Sequence, residues 1–392
     1  MASETVLAAT LVEPGKYELR DYPLPDPEPG CLLVKMQVSG ICGTDKHTYQ
    51  GFTTQYAGSG NPKQVPFPII QGHENVGTIA AVGGKQNYTD FEGLPVRVGD
   101  RVVVGPNISC GECYYCRHDF PYYFCPKTVD YGNNISSKNA PHLFGGWSQY
   151  LYVLPNSFVA RVPDDLSSEM AVLAEIMAVT VGLDRAKQIS AFPNESFRFD
   201  DTVVVFGVGP LGMCFLMKAR MLGAGTIVAV DLSDYRLTFA RRLGADHSLN
   251  ATNSTQAERL AIVRELTHGR GADVVIETAG VPQVIPEALE MLRMGGLLLE
   301  AGNFSDLGDV SINPNRHLCT NSVRIIGVGG DEPAAYAPSM RQMVRYAQHY
   351  PLQDFVTHRF GLRQVDEAMK KSVALDSMKV IIDPWTVQDQ SD

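Results

Sequence analysis

Thr202-Val-Val-Val-Phe-Gly-Val-Gly-Pro-Leu-Gly212 is the stretch that decides the fold of this 392-residue chain. Its first five residues are β-branched or aromatic, which predicts a buried strand. Gly207, Gly209 and Gly212 follow in the spacing G-x-G-x-x-G, and helical periodicity continues from Pro210. A strand, a glycine turn and a helix in this order are typical of a dinucleotide-binding βαβ unit.

The residues of this turn have separate physical roles. Gly207 permits the tight turn, Gly209 lets the backbone approach a pyrophosphate, and Gly212 allows the helix to pack closely on the strand. Pro210 and Leu211 open the helix, where free N–H groups and the positive end of the helix dipole face the phosphates. The alternative is a glycine-rich turn that binds nothing, and the complete strand–turn–helix context disfavours it.

Asp231, at the end of the next predicted strand, indicates which dinucleotide is bound. Its carboxylate would accept hydrogen bonds from the adenosine ribose hydroxyls of NAD and would repel the 2′-phosphate of NADP. Arg236 could lie near the same ribose, which keeps NADP as the alternative. The sequence therefore predicts NAD as the cofactor.

Strands and helices alternate from residue 202 to about residue 328, which predicts parallel βαβ units and a doubly wound α/β sheet. The predicted strands are Thr202–Phe206, Thr226–Val230, Asp273–Ile276, Leu297–Glu300 and Val323–Gly327. The predicted helices are Pro210–Leu222, Asp234–Leu243, Gln256–Thr267 and Gln283–Leu292. The strand Val323–Gly327 could extend the sheet across a subunit interface or lie buried at its centre.

The chain before about residue 165 has the pattern of a β domain, in which short apolar runs alternate with turn residues. The predicted strands are Cys31–Val38, Val76–Val82, Arg101–Val104 and Tyr150–Val153, and the polar stretch Thr53–Gln64 is predicted to be an exposed loop. The segment after residue 328 is too short for a domain and is expected to pack on the first part. We predict a catalytic domain at 1–176, with a metal lobe at about 105–130, a coenzyme domain at 177–328 and a return segment at 329–392.

The composition excludes several classes of protein. Hydrophobic residues make up 44% of the chain and charged residues 19%, which is globular and leaves ample material for buried cores. The formal net charge is −10 without a long basic run, so neither nucleic acid nor a membrane surface is an expected partner. The residues Met1–Arg20 show no basic region followed by an apolar core, which is the pattern of a secretion signal, and the apolar stretch Met170–Leu183 is too short to cross a bilayer, so we expect a cytoplasmic protein.

Four of the eight cysteines form the pattern Cys110-x2-Cys113-x2-Cys116-x8-Cys125. Four thiolates at these spacings can complete a tetrahedral zinc shell with no open position, which predicts a structural zinc site. The alternatives are unrelated thiols or two local disulfides, and an expected reducing compartment disfavours the disulfides.

A second set of metal donors comprises Cys42, His73 and the carboxylates of Glu74 and Glu175. Three protein ligands and one open position form the catalytic arrangement of zinc. Each residue also has an ordinary explanation, as a buried thiol, a core histidine or a carboxylate at a helix end. Spacing alone does not decide between these explanations, because the residues are far apart in the sequence.

Together these motifs resemble the zinc-containing medium-chain dehydrogenase/reductase superfamily over essentially the whole chain. The matching residues are Gly40-Ile-Cys-Gly-Thr-Asp45 with His47, Gly72-His-Glu74 with Gly77, the four-cysteine lobe, and Gly207–Gly212 with Asp231. The resemblance implies a GroES-like β-rich catalytic domain, a Rossmann coenzyme domain and an active site in the cleft between them. The last spacing of the lobe is one residue longer than is usual, and the stretch Gly51–Pro66 is also longer.

The resemblance also implies the roles of individual residues. It implies a catalytic zinc on Cys42 and His73, and Ala174-Glu175-Ile176 is similar to the sorbitol and threonine dehydrogenase branch. In the sorbitol type, the glutamate after the histidine is a ligand, so Glu74 would be the third, with Glu175 close by or exchanging with it. Thr44 and His47 would carry the hydroxyl proton away by way of the nicotinamide ribose.

These observations predict an enzyme that transfers a hydride between NAD and a secondary hydroxyl or ketone of a polyol, sugar or cyclitol. Acidic groups such as Glu74 and Glu175 suit substrates with several hydroxyls, which donate hydrogen bonds to carboxylates. The alternatives are a dehydrogenase of simple secondary alcohols, diols or amino alcohols, or a catalytically silent nucleotide-binding relative. We expect two zinc ions per chain and a homodimer or homotetramer.

Overall fold

The computed structural model describes residues 4–84, 88–188 and 196–386. Contacts group the chain into two compact units. The first unit spans the chain up to residue 178 and again from residue 332, and the second unit spans residues 179–331. The sequence-based division after residues 176 and 328 remains a prediction about domains.

The described residues of the first unit begin with twelve strands and a few short helices. The strands are β1 (Thr5–Glu13), β2 (Lys16–Pro23), β3 (Leu32–Gly40), β4 (Thr54–Gln55), β5 (Lys63–Gln64), β6 (Ile69–Ile70), β7 (Glu74–Val82), β8 (Arg101–Val104), β9 (Asn107–Ile108), β10 (Val129–Asp130), β11 (Tyr150–Val153) and β12 (Val159–Arg161). The helices are α1 (Gly43–Tyr49), α2 (Tyr114–Arg117), α3 (Ser168–Ala171) and α4 (Ala174–Val179), the last of which crosses into the second unit.

The second unit alternates strands and helices. Its helices are α5 (Val181–Gln188), α6 (Pro210–Met221), α7 (Asp234–Arg242), α8 (Gln256–Leu266) and α9 (Val284–Met291). Its strands are β13 (Thr202–Phe206), β14 (Thr226–Asp231), β15 (His247–Asn250), β16 (Ala272–Glu277), β17 (Leu292–Glu300) and β18 (Arg324–Gly327). The chain then returns to the first unit with α10 (Tyr336–Tyr346), β19 (Val356–Phe360), α11 (Val365–Ser372) and β20 (Lys379–Ile382).

The sheet of the second unit is parallel and has the order β15-β14-β13-β16-β17-β18. All five residues of the central strand β13 are buried, as expected for a strand covered on both faces. This order of strands with helical crossovers is a Rossmann fold. The carboxyl end of β13 lies between those of β14 and β16, and a dinucleotide binds at this edge in such folds.

The main sheet of the first unit has the order β12-β8-β7-β3-β20-β19, and β11 pairs with β3. Its strand pairs are antiparallel except β19 with β20. Strand β20 from the return segment therefore pairs directly with β3 from the start of the chain. The core beside this sheet contains the fully buried Trp147 and Tyr131.

Two expectations from the sequence need correction or completion. The stretch Thr53–Gln64 is not simply an exposed loop, because β4 and β5 form a small hairpin in it and Gln55 is buried. Lys63 Nζ donates to the carbonyl of Pro126 at 2.7 Å, so the stretch packs on the cysteine lobe just after Cys125. Strand β18 lies at the edge of its sheet rather than at the centre, and Ile325 is 44% exposed.

The described residues also bear on membrane insertion: they include no helix long and apolar enough to cross a bilayer.

Candidate active site

Cys42 immediately precedes α1, and Asp45 fixes its backbone. The Cys42 amide donates a hydrogen bond to Asp45 Oδ2 at 2.9 Å, which forms part of a capping box at this helix end. Asp45 is fully buried. The Cys42 side chain in turn hydrogen-bonds to the imidazole of His73. The structure thus brings together the thiol and the imidazole that are 31 positions apart in the sequence.

Asp45 also places a negative charge beside His73. The His73 Nδ1 atom lies 3.6 Å from Asp45 Oδ1, and both side chains are buried. Burial alone would lower the pKa of His73, but the negative charges of Asp45 and the Cys42 thiolate outweigh it and raise this pKa well above its usual value. Burial alone would raise the pKa of Cys42. The positive charge of the His73 imidazolium has the larger effect, so the pKa of Cys42 is lowered. A thiolate, an imidazole and a carboxylate behind the imidazole fit a zinc ion.

Glu74, the next residue after His73, is held by a buried lysine. The Glu74 carboxylate pairs with Lys379 Nζ, and the two residues are 0% and 1% exposed. Lys379 Nζ also donates to the carbonyl of Ile41 at 3.3 Å. Burial alone would lower the pKa of Lys379, but Glu74 raises it, so the amine stays charged. A Cβ on Gly40 would collide with the Glu74 carboxylate, so the glycine leaves room for this ion pair.

Glu175 lies in the first turn of α4 and is buried. Its negative charge raises the pKa of Lys379, as do those of Glu74 and Cys42, so the three acidic groups surround one lysine. Among the described residues, only the cysteine lobe brings three or more metal-binding atoms within 4.8 Å of one another. The structure therefore places Glu74 near Cys42 and Glu175 near Lys379, without bringing either carboxylate into a three-atom set with Cys42 and His73.

Thr44 and His47 are three residues apart on α1, so they lie on the same face of the helix. Both side chains are partly buried. Burial, assisted by the charge of Lys46, lowers the pKa of His47. His47 is therefore neutral at neutral pH and can accept a proton there. Its ring also contacts Phe52 at a centroid distance of 5.9 Å.

The cysteine lobe has the geometry of a metal site. The sulfur atoms of Cys110, Cys113, Cys116 and Cys125 all lie within 4.8 Å of one another, and all are free thiols. Backbone amides, first that of Glu112, lower the pKa of Cys110 to about 6. Four thiols at these distances fit a tetrahedral zinc ion, so these residues would hold zinc rather than form disulfides.

The glycine turn after β13 is shaped for a dinucleotide. Gly207 has a φ of +78°, and a Cβ there would lie 2.5 Å from the backbone of Ala279. A Cβ on Gly212 would collide with the carbonyl of Gly207, whereas a Cβ on Gly209 would meet open space. The first and third glycines are thus required by packing, and the second leaves the approach to the helix N-terminus at Pro210 clear for a pyrophosphate.

Asp231 ends β14 next to this turn and is largely buried. Its Oδ1 accepts a hydrogen bond from the Ser233 amide at 2.9 Å, which orients the carboxylate. Arg236 lies in the first turn of the helix that follows. Two apolar side chains at the same edge of the sheet are exposed, Leu232 at 57% and Val281 at 44%. They flank the turn because β14 and β16 lie on either side of β13.

Asp45 and Lys379 have no role in the site predicted from the sequence, although Asp45 lies beside Cys42 and His73 and Lys379 pairs with Glu74. Asp45 is part of the motif Gly40–Asp45, and it follows Cys42 by three residues. This is the spacing of a capping box, so the sequence contained a signal for its contact with the Cys42 backbone. Lys379 opens the otherwise apolar strand Lys379–Ile382, all of it buried. A lysine in such a strand indicates a buried counter-ion, but the sequence does not say which one.

Comparison with known proteins agrees with this geometry. The alcohol dehydrogenase GroES-like domain matches residues 28–164, and the zinc-binding dehydrogenase domain matches residues 210–345. The chain is 32% identical over 381 residues to 5-exo-hydroxycamphor dehydrogenase of Pseudomonas putida, covering 96% of this chain and 98% of that protein. The chain belongs to the zinc-containing medium-chain dehydrogenase/reductase superfamily. This dehydrogenase is therefore an oxidoreductase that uses zinc and a nicotinamide dinucleotide.

Two further relatives of the dehydrogenase support the predicted branch and fold. Sorbitol dehydrogenase of Bacillus subtilis is 30% identical over 396 residues, covering 97% of this chain and 98% of that protein. The solved structure of an alcohol dehydrogenase from Thermotoga maritima has a TM-score of 0.86 and 28% identity, covering 97% of this chain and all of that one. The predicted fold class, a GroES-like β-rich part with a Rossmann part, and the predicted polyol and threonine dehydrogenase branch are confirmed.

Proposed function

We propose that the enzyme transfers a hydride between NAD and a secondary hydroxyl or ketone of a polyol, sugar or cyclitol. The observation that carries this proposal is the buried group of donors in which the Cys42 thiol contacts His73 beside the carboxylates of Glu74 and Glu175. Zinc when bound supplies a Lewis acid for the hydroxyl, and the nicotinamide accepts the hydride. The similarity to sorbitol dehydrogenase over nearly the whole chain supports the polyhydroxy substrate.

We assign the metal ligands in the first unit to Cys42, His73 and a carboxylate. Glu74 would have to leave its buried ion pair with Lys379 to bind a metal, and separating such a pair costs about 3–5 kcal/mol. Glu175 is therefore the preferred third ligand, and Glu74 is its alternative. Asp45 would hold the His73 ring in the orientation for binding through its other nitrogen.

Thr44 and His47 are assigned to proton movement. Thr44, two residues after Cys42, would accept the proton of the substrate hydroxyl in a hydrogen bond and pass its own proton on. His47 is neutral at neutral pH because burial lowers its pKa, so it can take up a proton that leaves the site. Their common helix face supports a relay through these two side chains.

Asp231 is expected to set the preference for NAD over NADP. Replacing Asp231 with alanine removes a charged acceptor from the ribose hydroxyls, so KM for NAD should rise roughly 10- to 100-fold. KM for NADP should stay the same or fall, because the repulsion of the 2′-phosphate disappears. Steady-state kinetics with both cofactors measure this change. The control is Asp234→Asn, an exposed acid three residues further along, and equal effects of the two substitutions would refute the assignment.

A panel of substrates tests the proposed class. With NAD, kcat/KM for the best polyol or cyclitol is expected to exceed that for 2-butanol by about 10-fold or more, because an apolar alcohol leaves the buried carboxylates without hydrogen-bond donors. The panel includes sorbitol, erythritol, an inositol, 2,3-butanediol and a bicyclic secondary alcohol. Faster turnover of 2-butanol than of every polyhydroxy compound would be incompatible with this proposal.

The second candidate function is oxidation of an apolar cyclic secondary alcohol. The observation that favours it is the 32% identity to 5-exo-hydroxycamphor dehydrogenase over nearly the whole chain. The same panel separates the two functions, because this candidate places the bicyclic alcohol first and the polyols last.

Assembly of the enzyme as a homodimer or homotetramer remains part of this proposal. Strand β18 is an edge strand with an exposed isoleucine, Ile325, and such an edge can pair with that of a second chain. A cytoplasmic location likewise stays an expectation from the sequence.

A further inference from the structure

Two glutamates at the carboxyl edge of the Rossmann sheet form a pair outside the catalytic residues named above. Glu277 ends β16 and Glu300 ends β17, and the two residues are in register on these adjacent parallel strands. Glu277 is 0% exposed, and the partly buried Glu300 beside it has a buried Oε2 atom for which the described structure gives no hydrogen-bond donor. Asn303 Nδ2 bridges them, donating to Glu277 Oε2 at 3.1 Å and to Glu300 Oε1 at 3.0 Å.

No positive charge compensates this pair within the described part of the chain, where no ion pair joins either carboxyl group to Lys, Arg or His. The ionisable group that faces Glu277 is Glu300. Acidic and basic groups on the helices packed against these strands pair elsewhere: Glu287 with Arg259, Glu290 with Arg316, and Lys218 with Asp184. Burial and the charge of Glu300 raise the pKa of Glu277 to about 8. A carboxyl group that is buried next to a negative charge keeps its proton at neutral pH, so Glu277 is protonated there.

The pair holds two loops together. Glu277 Oε1 accepts hydrogen bonds from the amides of Ala279 at 2.7 Å and Gly280 at 3.1 Å. Glu300 Oε1 accepts from the amides of Gly302 at 3.1 Å and Asn303 at 2.9 Å. The loops are in direct contact, because a Cβ on Gly280 would lie 2.7 Å from the carbonyl of Gly302.

One of these loops supports the glycine turn. Thr278 Oγ1 donates to the carbonyls of Gly207 at 2.7 Å and Phe206 at 2.8 Å. A Cβ on Gly207 would also lie 2.5 Å from Ala279. A continuous set of hydrogen bonds and close contacts therefore leads from Glu300, through Glu277 and Thr278, to the turn assigned to the coenzyme pyrophosphate.

We propose that Glu277 and Glu300 share one buried proton and that this pair is a positioning device for the coenzyme turn Gly207–Gly212. The proposal rests on the proposed coenzyme role of that turn. While the proton is present, the pair carries one negative charge and both loops keep their hydrogen bonds. Loss of the proton places a second negative charge behind the turn, which repels the pyrophosphate and separates the loops.

The direction of the pH dependence follows from the raised pKa of Glu277. Below the ordinary pKa of a glutamate the folded and unfolded chains both hold this proton, and the stabilisation from the shared hydrogen bond is complete. Between that value and about 8 the unfolded chain loses the proton and the folded chain keeps it, so stability falls as the pH rises. Above about 8 the folded chain also loses it, and the second charge then opposes coenzyme binding.

The test compares the wild type with Glu300→Gln, whose amide can donate a hydrogen bond to Glu277 at every pH. For the wild type, KM for NAD is expected to rise about 3- to 10-fold between about pH 7 and about pH 9.5, with a smaller change in kcat. For Glu300→Gln, KM should stay nearly constant over this range. The unfolding midpoint of the metal-loaded wild type should fall by roughly 5 °C more than that of the variant between about pH 5 and about pH 9.

The control is Glu265→Gln, an exposed glutamate in the same unit, which should follow the wild type in both measurements. If the unfolding midpoint depended on pH equally in the wild type and in Glu300→Gln, the proposal of a shared proton would be overturned. If KM for NAD rose equally with pH in the wild type and in Glu300→Gln, while their unfolding midpoints differed as expected, only the positioning role would be overturned. Failure of the wild type to bind NAD at any pH would overturn the proposed function, and the positioning role with it.

Infrared spectra of the wild type provide a second test if Glu300→Gln does not fold. A protonated carboxyl band at neutral pH that vanishes in alkali supports the shared proton, and the absence of this band refutes it.

Discussion

Replacing Cys42 with serine is expected to lower kcat by about 10³-fold or more and to remove one zinc equivalent per chain, while NAD binding is unchanged. The Cys42 thiolate is the soft ligand of the proposed metal centre, and serine at neutral pH offers a protonated hydroxyl in its place. The glycine turn proposed to bind NAD belongs to the second unit and should be unaffected. Zinc content by elemental analysis, NAD binding by calorimetry and kcat measured on the best substrate give the three readouts.

The matched control for this prediction is Cys319→Ser. Cys319 is exposed and lies outside both proposed metal sites. This variant should retain the zinc content and the kcat of the wild type. If Cys42→Ser kept full zinc and full activity, Cys42 would not be a metal ligand. If only one zinc were present in the wild type and Cys42→Ser kept it, all zinc would lie in the cysteine lobe.

Replacing Lys379 with methionine is expected to reduce the free energy of unfolding by about 3–5 kcal/mol. The substitution keeps much of the volume of the side chain and removes the only charge paired with the carboxylate of Glu74 in the described structure. An unpaired carboxylate would then be buried at 0% exposure among the negative charges of Glu175 and Cys42. Chemical denaturation of the zinc-loaded protein measures the change.

A second substitution separates the effect of charge from that of packing. The double variant Lys379→Met/Glu74→Gln removes both charges and should recover a substantial part of the lost stability. Lys127→Met is the surface control, because the pair of Lys127 with Glu112 is more than 60% exposed on both sides and should contribute little. A loss in Lys379→Met no larger than that in Lys127→Met would mean that the buried ion pair does not stabilise the protein.

The sequence predicts structure correctly where a motif is formed by residues that are close together in the chain. The run Thr202–Gly212 predicts strand, turn and helix at their observed positions, because the glycine spacing is imposed by contacts within the turn itself. The cysteine lobe is equally local, since its four sulfur atoms come from a single loop. Such motifs can be found without knowing the rest of the fold.

The rest of the candidate site depends on contacts that only the folded chain creates. Lys379 is 305 residues from Glu74 in the sequence, and no periodicity connects them. The same limit applies to Glu277 and Glu300. The first follows a predicted strand and the second ends one, and they become a pair only through the register of two parallel strands. The small hairpin in Thr53–Gln64 was missed because its polar residues are held by backbone carbonyls of a distant segment.

The pairing of β20 with β3 has a consequence for the order in which the protein can mature on the ribosome. All strands of the second unit precede β20 in the chain, so the nucleotide-binding fold can close during translation. The sheet of the first unit stays open until Lys379–Ile382 has emerged, and Glu74 has no counter-ion until then. A nascent chain should therefore gain its coenzyme-binding ability before it can complete the surroundings of its metal.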